Sequence, residues 1–399
     1  MLLFRKKILP AIILIIAGVF IHGHSIHAQS IKKLPDDPLS GRIVFEKKQC
    51  VRCHTIGGVF GEGVRDLTRE GIGKSFGSLT ARIWNHFPAM EIEFMKEGIT
   101  WPEFTEKELV ELTAFIYFIP YLGDAGDLDN GKAIFASKGC FNCHQVGGKG
   151  GAIGPRLDKL KKHVSPLYLA VSMWNHMPQM DKVWKERGIK KPVLNGKDIN
   201  DLASYIKEVS RGTNHEMMYL SPGNPNSGEK LFSDKKCFVC HSVRGKDKGT
   251  SKSIESMDLK ISVTAIASRM WRYHPVDIIE AKGVEWPVLS GQEMADLLSY
   301  IYFIRFIDPP GNVSAGREIF KAKKCLVCHS VRGVGGIVGP DLSKAQYDNL
   351  SSMSAALLSH APFMKEVTLE EDIDWPYFTS EELGHVFTYL KSEQKTKDK

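Results

Sequence analysis

The sequence predicts an all-α protein built from four tandem units, each with a few helices. The pattern C-x-x-C-H occurs four times, and its first cysteines stand 90, 97 and 88 residues apart. A long, nearly regular period of this kind indicates a repeated small domain. Each unit ends in a run with apolar residues at helical spacing, such as Leu109, Leu112 and Ile116, which predicts a terminal amphipathic helix. No alternating pattern typical of strands extends over a useful length.

The N-terminus predicts export. Arg5, Lys6 and Lys7 precede an apolar run from Ile8 to Ile21, and a polar stretch then leads to Ala28. This is the architecture of a secretory signal peptide, residues 1–28, with cleavage after Ala28. The apolar run is shorter than the ~20 residues that a membrane-spanning helix needs. An uncleaved N-terminal membrane anchor is the alternative.

Each unit is expected to begin with a helix that packs closely against another element. A glycine and a phenylalanine precede each first cysteine by nine and five residues and share one helix face. These pairs are Gly41/Phe45, Gly131/Phe135, Gly228/Phe232 and Gly316/Phe320.

Each unit is expected to end with a capped helix. A capping residue followed three positions later by an acid predicts the helix start, and an aromatic residue follows ten positions after the cap. The capping pairs are Thr105/Glu108, Asn195/Asp198, Ser290/Glu293 and Thr379/Glu382, and the aromatic residues are Phe115, Tyr205, Tyr300 and Tyr389.

Turn-rich links separate the units. Clusters of Gly, Pro, Asn and Asp stand at 123–126, 221–226 and 308–311, and such clusters break regular structure. They predict domain 1 at residues 29–124, domain 2 at 125–221, domain 3 at 222–309 and domain 4 at 310–399.

The four C-x-x-C-H motifs predict four covalently attached haem c groups. This pattern is the attachment signature of c-type haem: two thiols bind the porphyrin, and the histidine on the same face supplies an axial ligand to iron. The motifs use all eight cysteines: Cys50, Cys53 and His54; Cys140, Cys143 and His144; Cys237, Cys240 and His241; Cys325, Cys328 and His329. A zinc ribbon would need two C-x-x-C pairs close together. A disulfide framework or a redox dithiol would not need the trailing histidine.

On these motifs the chain resembles the class I cytochrome c fold in four tandem copies. The resemblance implies that the first and last helices cross at a Gly/aromatic contact. It also implies that a methionine beyond the middle helix is the sixth ligand, and that a proline carbonyl faces the proximal histidine. Pro155 and Pro340 match that proline, whereas Arg65 and Lys252 take its place in domains 1 and 3. Because c-type haem is attached outside the cytoplasmic membrane in bacteria, the resemblance also implies a periplasmic protein.

Three units share a segment that offers a sixth ligand. Met90, Met180 and Met364 follow the proximal histidines by 36, 36 and 35 residues, and a thioether ligand raises the redox potential. We predict that these methionines bind iron. His86, His176 and His360, four residues earlier, recur equally well and are the alternative ligands.

The third unit departs from this pattern. Asp277 stands where the others have methionine, and His274 lies directly before Pro275, 33 residues after His241. We predict His274 as the sixth ligand, which gives a bis-histidine haem of lower potential. Met270 and Met257 are weaker candidates, and an open iron is the remaining alternative.

The sequence predicts an electron carrier rather than an enzyme. Haems with two strong axial ligands leave no position for a substrate, so we expect redox protein partners or a membrane respiratory complex, with no small-molecule substrate. The lysines that contribute to the net charge of +7 are scattered, so we expect no nucleic-acid partner. The alternative is a peroxidase or sulfur-compound oxidoreductase with its active site at the third haem, near Arg269, Arg272, Tyr273 and Asp277.

Overall fold

The computed structural model describes residues 31, 33–56, 61, 65–67, 75–121, 125–160, 164–210, 223–244, 251, 253–257, 262–379 and 381–394. Their regular structure is mainly helical, which confirms the all-α prediction.

Domain 1 contains α1 (Gly41–Lys47), α2 (Phe76–Lys96) and α3 (Glu106–Phe118). Domain 2 contains α4 (Leu128–Ser137), α5 (Pro166–Asn175), α6 (Met177–Arg187) and α7 (Gly196–Val209). Domain 3 contains α8 (Pro225–Asp234), α9 (Val263–Tyr273), α10 (Val276–Ala281) and α11 (Gly291–Phe303). Domain 4 contains α12 (Val313–Ala322), α13 (Cys325–Cys328), α14 (Leu350–Ser359), α15 (Ala361–Glu370) and α16 (Glu382–Glu393).

The β structure of the described residues consists of two short pairs next to haem motifs. In domain 1, β1 (His54–Thr55) pairs in parallel with β2 (Arg65–Asp66). In domain 4, β3 (Ser330–Val331) pairs antiparallel with β4 (Val334–Gly335). The predicted signal peptide lies outside the described residues. Within the described ranges, no helix has the length and apolar character needed to cross a bilayer.

The first and last helices of every domain cross at the predicted glycine. A Cβ atom built on Gly131 would lie 2.0 Å from the carbonyl oxygen of Asp201 on α7. A Cβ atom built on the equivalent glycine of each other domain would lie at the same distance from a carbonyl oxygen of the last helix. The glycine and carbonyl pairs are Gly41 and Glu111, Gly228 and Asp296, and Gly316 and His385. Any side chain would therefore force the two helices apart.

The predicted aromatic contact lies one helical turn after this crossing. Phe135 and Tyr205 have ring centroids 5.5 Å apart. The equivalent pairs are Phe45–Phe115 at 6.1 Å, Phe232–Tyr300 at 5.6 Å and Phe320–Tyr389 at 5.7 Å. These contacts confirm that the Gly/Phe repeats are core positions.

In domains 1 to 3, the last helices begin as their capping residues predict. Thr105, Asn195 and Ser290 each accept a hydrogen bond from the backbone N–H three residues later, and the acid there accepts one from the backbone N–H of the capping residue. In domain 4, the backbone N–H of Thr379 donates to Glu382 at 2.7 Å, but α16 begins only at Glu382 with Glu381 as its N-cap, so the predicted start after Thr379 is wrong. Satisfying these end groups defines where each helix starts.

Domains 2 and 3 meet through reciprocal tryptophan contacts. Three indole N–H groups of this interface donate to backbone carbonyls of the other domain: Trp174 to Pro287 (2.7 Å), Trp271 to Pro192 (3.0 Å) and Trp286 to Trp174 (3.0 Å). The Asn175 amide also exchanges two hydrogen bonds with the backbone of Leu289, at 2.7 and 2.9 Å. Backbone groups of each domain thus form hydrogen bonds with polar side chains of the other, so these side chains are not left unpaired in the interface.

Domains 1 and 4 meet in the same way, although they are distant in sequence. The bonds are Trp84 to the carbonyl of Pro376 (2.7 Å), Trp375 to that of Trp84 (3.2 Å) and Trp101 to that of Leu358 (2.8 Å). Asn85 exchanges two hydrogen bonds with the backbone of Phe378, at 2.8 and 2.9 Å. All seven tryptophans of the chain lie in these two interfaces.

A third interface joins domain 1 to domain 3. Tyr117 donates its hydroxyl to the carbonyl of Tyr302 at 2.9 Å, and Phe118 stacks on Phe303 with ring centroids 5.9 Å apart. The buried carboxylate of Asp308 accepts a hydrogen bond at 2.8 Å from the backbone N–H of Gly77, in the first turn of α2. These contacts place the domains in the spatial order 2, 3, 1, 4.

Candidate functional site: four cysteine and histidine turns

Each C-x-x-C-H motif starts after a backbone reversal. The residue before the first cysteine has a left-handed conformation, with φ of 64° at Gln49, 75° at Gly139, 58° at Lys236 and 58° at Lys324. The chain then forms a tight turn. In domains 2, 3 and 4, the histidine N–H donates to the carbonyl of the first cysteine, at 3.0, 3.0 and 2.9 Å. The turn therefore keeps both cysteines and the histidine close together.

In domain 2 this turn faces a cavity of about 430 Å³. Cys140, Cys143 and His144 line the cavity together with the predicted sixth ligand, Met180. Its other walls are mostly apolar and include Val164, Leu169, Leu194, Leu202 and Ile206. Two thiols, two axial-type donors and apolar walls are the donor set and surroundings that a covalently attached haem requires. The residues fit the cofactor that the motif predicts.

The first cysteine of each motif is partly buried and is not poised for thiol redox chemistry. Burial raises the pKa of Cys50 and Cys325 to about 12, and that of Cys140 and Cys237 to about 11. None of the eight cysteines forms a disulfide. A reactive C-x-x-C pair instead needs a lowered thiol pKa, so these features favour haem attachment.

Proline carbonyls orient two of the proximal histidines, as the resemblance implies. His144 donates from Nδ1 to the carbonyl of Pro155 at 3.0 Å, and His329 donates to that of Pro340 at 3.1 Å. Because a carbonyl only accepts, the proton is on Nδ1 and the lone pair of Nε2 is free to bind iron.

Domain 1 replaces this proline contact with a short strand pair. His54 on β1 lies opposite Arg65 on β2, and the Arg65 backbone approaches the imidazole. The Nδ1 atom of His54 nevertheless makes no hydrogen bond of normal geometry. Lys252, the equivalent residue of domain 3, lies outside the described residues.

The three predicted methionine ligands all lie in helices, and Met90 lies within the middle helix of its domain rather than beyond it. Met90 is within α2, which continues through Pro88. Met180 and Met364 lie in the first turns of α6 and α15, helices that start directly after His176 and His360. Proline is tolerated in the first helical turn, where its missing N–H has no partner to lose. Pro178 and Pro362 therefore do not end the helical path after His176 and His360, whereas Pro88 lies in the interior of α2.

The alternative ligands occupy the preceding turn of the same segments. His86, His176 and His360 each donate from Nδ1 to the carbonyl four residues earlier, at 2.9, 2.7 and 2.8 Å. In domain 2, both His176 and Met180 line the cavity. The structure thus brings both candidate ligands to the site, and the choice of methionine stays a prediction.

In domain 3, His274 directly faces the proximal histidine. Its Nε2 atom lies 3.2 Å from Nε2 of His241, while its Nδ1 donates to the carbonyl of Met270 at 2.9 Å. Burial and the neighbouring His241 lower the pKa of His274 to about 4, so the imidazole is neutral at physiological pH, and its Nε2 atom points at His241. Two facing imidazole nitrogens are the donor set of a bis-histidine iron.

Two of the residues that suggested an enzyme, Tyr273 and Asp277, have other surroundings. Asp277 forms an ion pair with Lys185 of domain 2 at 2.5 Å. Tyr273 is 63% exposed, and the Arg272 guanidinium stacks over its ring at 5.1 Å. Arg269 is half-buried on α9. Asp277 therefore serves the domain interface, and Tyr273 lies at the surface.

The interface role of the tryptophans is missing from the sequence predictions. A signal for it is present, because Trp-Asn recurs at 84–85 and 174–175, and Trp-Pro recurs at 101–102, 286–287 and 375–376. The first pair stands in the segments that also carry Met90 and Met180. The structure shows that it binds the neighbouring domain.

Comparison with protein families agrees with this geometry. The family model described as cytochrome c matches residues 128–210, 226–302 and 313–393, which together are more than half of the chain. Domain 1 has the same glycine crossing and the same motif. No curated protein and no solved structure is significantly similar to the chain. The matched segments, the motifs and the helix crossings show that the chain belongs to the cytochrome c family.

Proposed function

We propose that the protein is an exported electron carrier that relays single electrons through four covalent haem c groups. The observation that carries this proposal is the facing pair of His241 and His274, 3.2 Å apart, in the one unit that lacks the recurrent methionine. A site with an axial donor on each side has no place for a substrate. Haem c, when bound, supplies an iron that changes its charge by one electron.

The residues of each unit would hold the cofactor in one position. The two cysteines would anchor it, and the histidine of the motif would bind the iron. The sixth ligands would be Met90, Met180, His274 and Met364. Pro155 and Pro340 fix the rings of two proximal histidines. A cofactor held this rigidly, among apolar walls that exclude water, needs little rearrangement when its charge changes.

The sequence supports a proposed place of action and a proposed class of partner. The predicted signal peptide supports a periplasmic protein, or one held at the membrane if the signal remains attached. We propose that its partners are redox proteins or a membrane respiratory complex. A relay between proteins requires neither a small-molecule substrate nor nucleic acid, and nothing in the charge pattern favours the latter.

Carbon monoxide tests whether any iron is open. We expect the visible spectrum of the fully reduced protein to remain unchanged under carbon monoxide, because every iron has two protein ligands. The variant His274→Ala is expected to bind carbon monoxide at one haem in four. His86→Ala is the matched control and should stay insensitive if Met90 is the ligand. Carbon monoxide binding by the unaltered protein would instead support the oxidoreductase alternative.

A further inference from the structure

A tryptophan of domain 2 packs against the predicted sixth ligand of domain 3. The Trp174 and His274 rings meet edge to face, with centroids 5.5 Å apart and an interplanar angle of 74°. Trp174 is itself held by its bond to Pro287 and by the ring of Trp286 at 4.5 Å. An indole fixed in this way limits how far the His274 ring turns about its own axis.

The reverse contact is also present. Trp271 of domain 3 lines the domain 2 cavity, together with His176 and Met180. It lies on α9, three residues before His274, so one short segment serves the sites of both domains.

The position of Trp271 is fixed by domain 2. Its indole donates to the carbonyl of Pro192 at 3.0 Å, and Trp184 meets its ring edge to face at 5.7 Å. The ammonium of Lys191 lies over the same ring, 5.1 Å from the centroid. Domain 2 therefore holds Trp271 of domain 3 in place, and Trp271 in turn forms part of the wall of the domain 2 cavity.

We propose that the haem sites of domains 2 and 3 form one coupled pair, in which Trp271 and Trp174 are each a positioning residue for the site of the other domain. This inference rests on the proposed electron-carrier function. Within the pair, one site loses an electron and the other gains it, with no bond formed or broken. Domains 1 and 4 form the second pair, and the contact between domains 1 and 3 joins the two.

The two pairs are not equivalent. Domain 4 has Leu358 where domain 3 has Trp271, so in the second pair only Trp84 occupies one of these two equivalent tryptophan positions. The salt bridge between Lys365 and Glu91, 2.6 Å long, takes the place of that between Lys185 and Asp277. Each pair therefore offers a matched control for the other.

Cross-linking tests the pairing without reference to the haems. A carbodiimide joins an amine to a carboxylate at zero length, so the holoprotein is expected to yield the links Glu91–Lys365 and Lys185–Asp277. Lys365→Arg and Lys185→Arg keep the charge but remove the reactive amine, and each should abolish its own link only. Links that join domain 1 to 2, or 3 to 4, in place of these would overturn the pairing.

Tryptophan variants test the coupling. Trp174→Leu is expected to shift both the midpoint potential and the EPR g-values of the bis-histidine haem of domain 3. Trp174→Phe keeps an aromatic edge and should restore most of the original signal. Trp84→Leu removes the equivalent side chain of the other pair and should leave the domain 3 signal unchanged. If Trp174→Leu only lowers stability and leaves that signal in place, Trp174 has a packing role and the inference is wrong.

The Trp271→Leu variant tests the reverse direction. It is expected to shift the NMR signals of the Met180 methyl group in domain 2 and to leave those of Met364 in place. Unchanged Met180 signals would contradict the role of Trp271.

If the protein shows no reversible one-electron couples at all, the proposed function fails, whatever the cross-links show. If the couples are present and these variants are silent, only the coupling fails.

Discussion

Replacing His274 by methionine is expected to raise the midpoint potential of one haem and leave the other three unchanged. The imidazole of His274 faces His241 from 3.2 Å away, and exchanging an imidazole for a thioether favours the ferrous iron. We expect a rise on the order of 0.1 V or more, a modest part of the roughly 0.8 V that axial ligands span. A spectroelectrochemical titration of the variant measures it.

His176→Met is the matched control for this experiment. It makes the same chemical change at a histidine that also lines a haem cavity, in a unit where Met180 is the predicted ligand. We expect the midpoint potentials of the haems in this variant to match those of the unaltered protein. A rise in the domain 2 potential would show that His176 binds iron there. If His274→Met leaves every midpoint potential unchanged, the assignment of His274 as a sixth ligand is wrong.

Replacing Gly131 by alanine is expected to destabilise domain 2 strongly. The new Cβ atom would lie 2.0 Å from the carbonyl oxygen of Asp201, so α4 and α7 must separate. Overpacking of this kind costs about 3 kcal/mol, and more where rigid backbone is the obstacle. Hydrogen exchange measured by mass spectrometry is expected to show faster exchange in α4 and α7, with α12 and α16 of domain 4 unchanged.

Gly384→Ala is the control for the glycine change. This residue lies inside α16, and a Cβ atom built on it meets nothing within 4 Å. The substitution should stabilise α16 by roughly 0.5–1 kcal/mol, because glycine is a poor helix former. Equal effects of the two substitutions would contradict the proposed helix crossing.

Short-range patterns made most of each domain predictable. The glycine and phenylalanine repeats, the capping pairs and the haem motifs act within one helix or one turn, where residue type largely decides the geometry. Gly131 and Phe135 lie where their spacing predicted. Comparing the ligand segment of domain 3 with those of the other three domains was enough to predict that His274 lies opposite His241.

Two features were not predicted. The helices α6 and α15, which carry Met180 and Met364, start directly after His176 and His360 because proline is acceptable in a first turn. The pairing of domains 1 and 4 joins Trp84 to Pro376 across most of the chain. No local pattern specifies which of two similar domains a surface tryptophan binds.

An EPR-monitored potentiometric titration of the oxidised protein tests the central claim most directly. We predict four low-spin ferric signals, three with the character of methionine/histidine ligation and one with that of two histidines. The bis-histidine signal should disappear at the lowest potential as the protein is reduced. Four equivalent signals, or a high-spin signal in place of the bis-histidine one, would contradict the account.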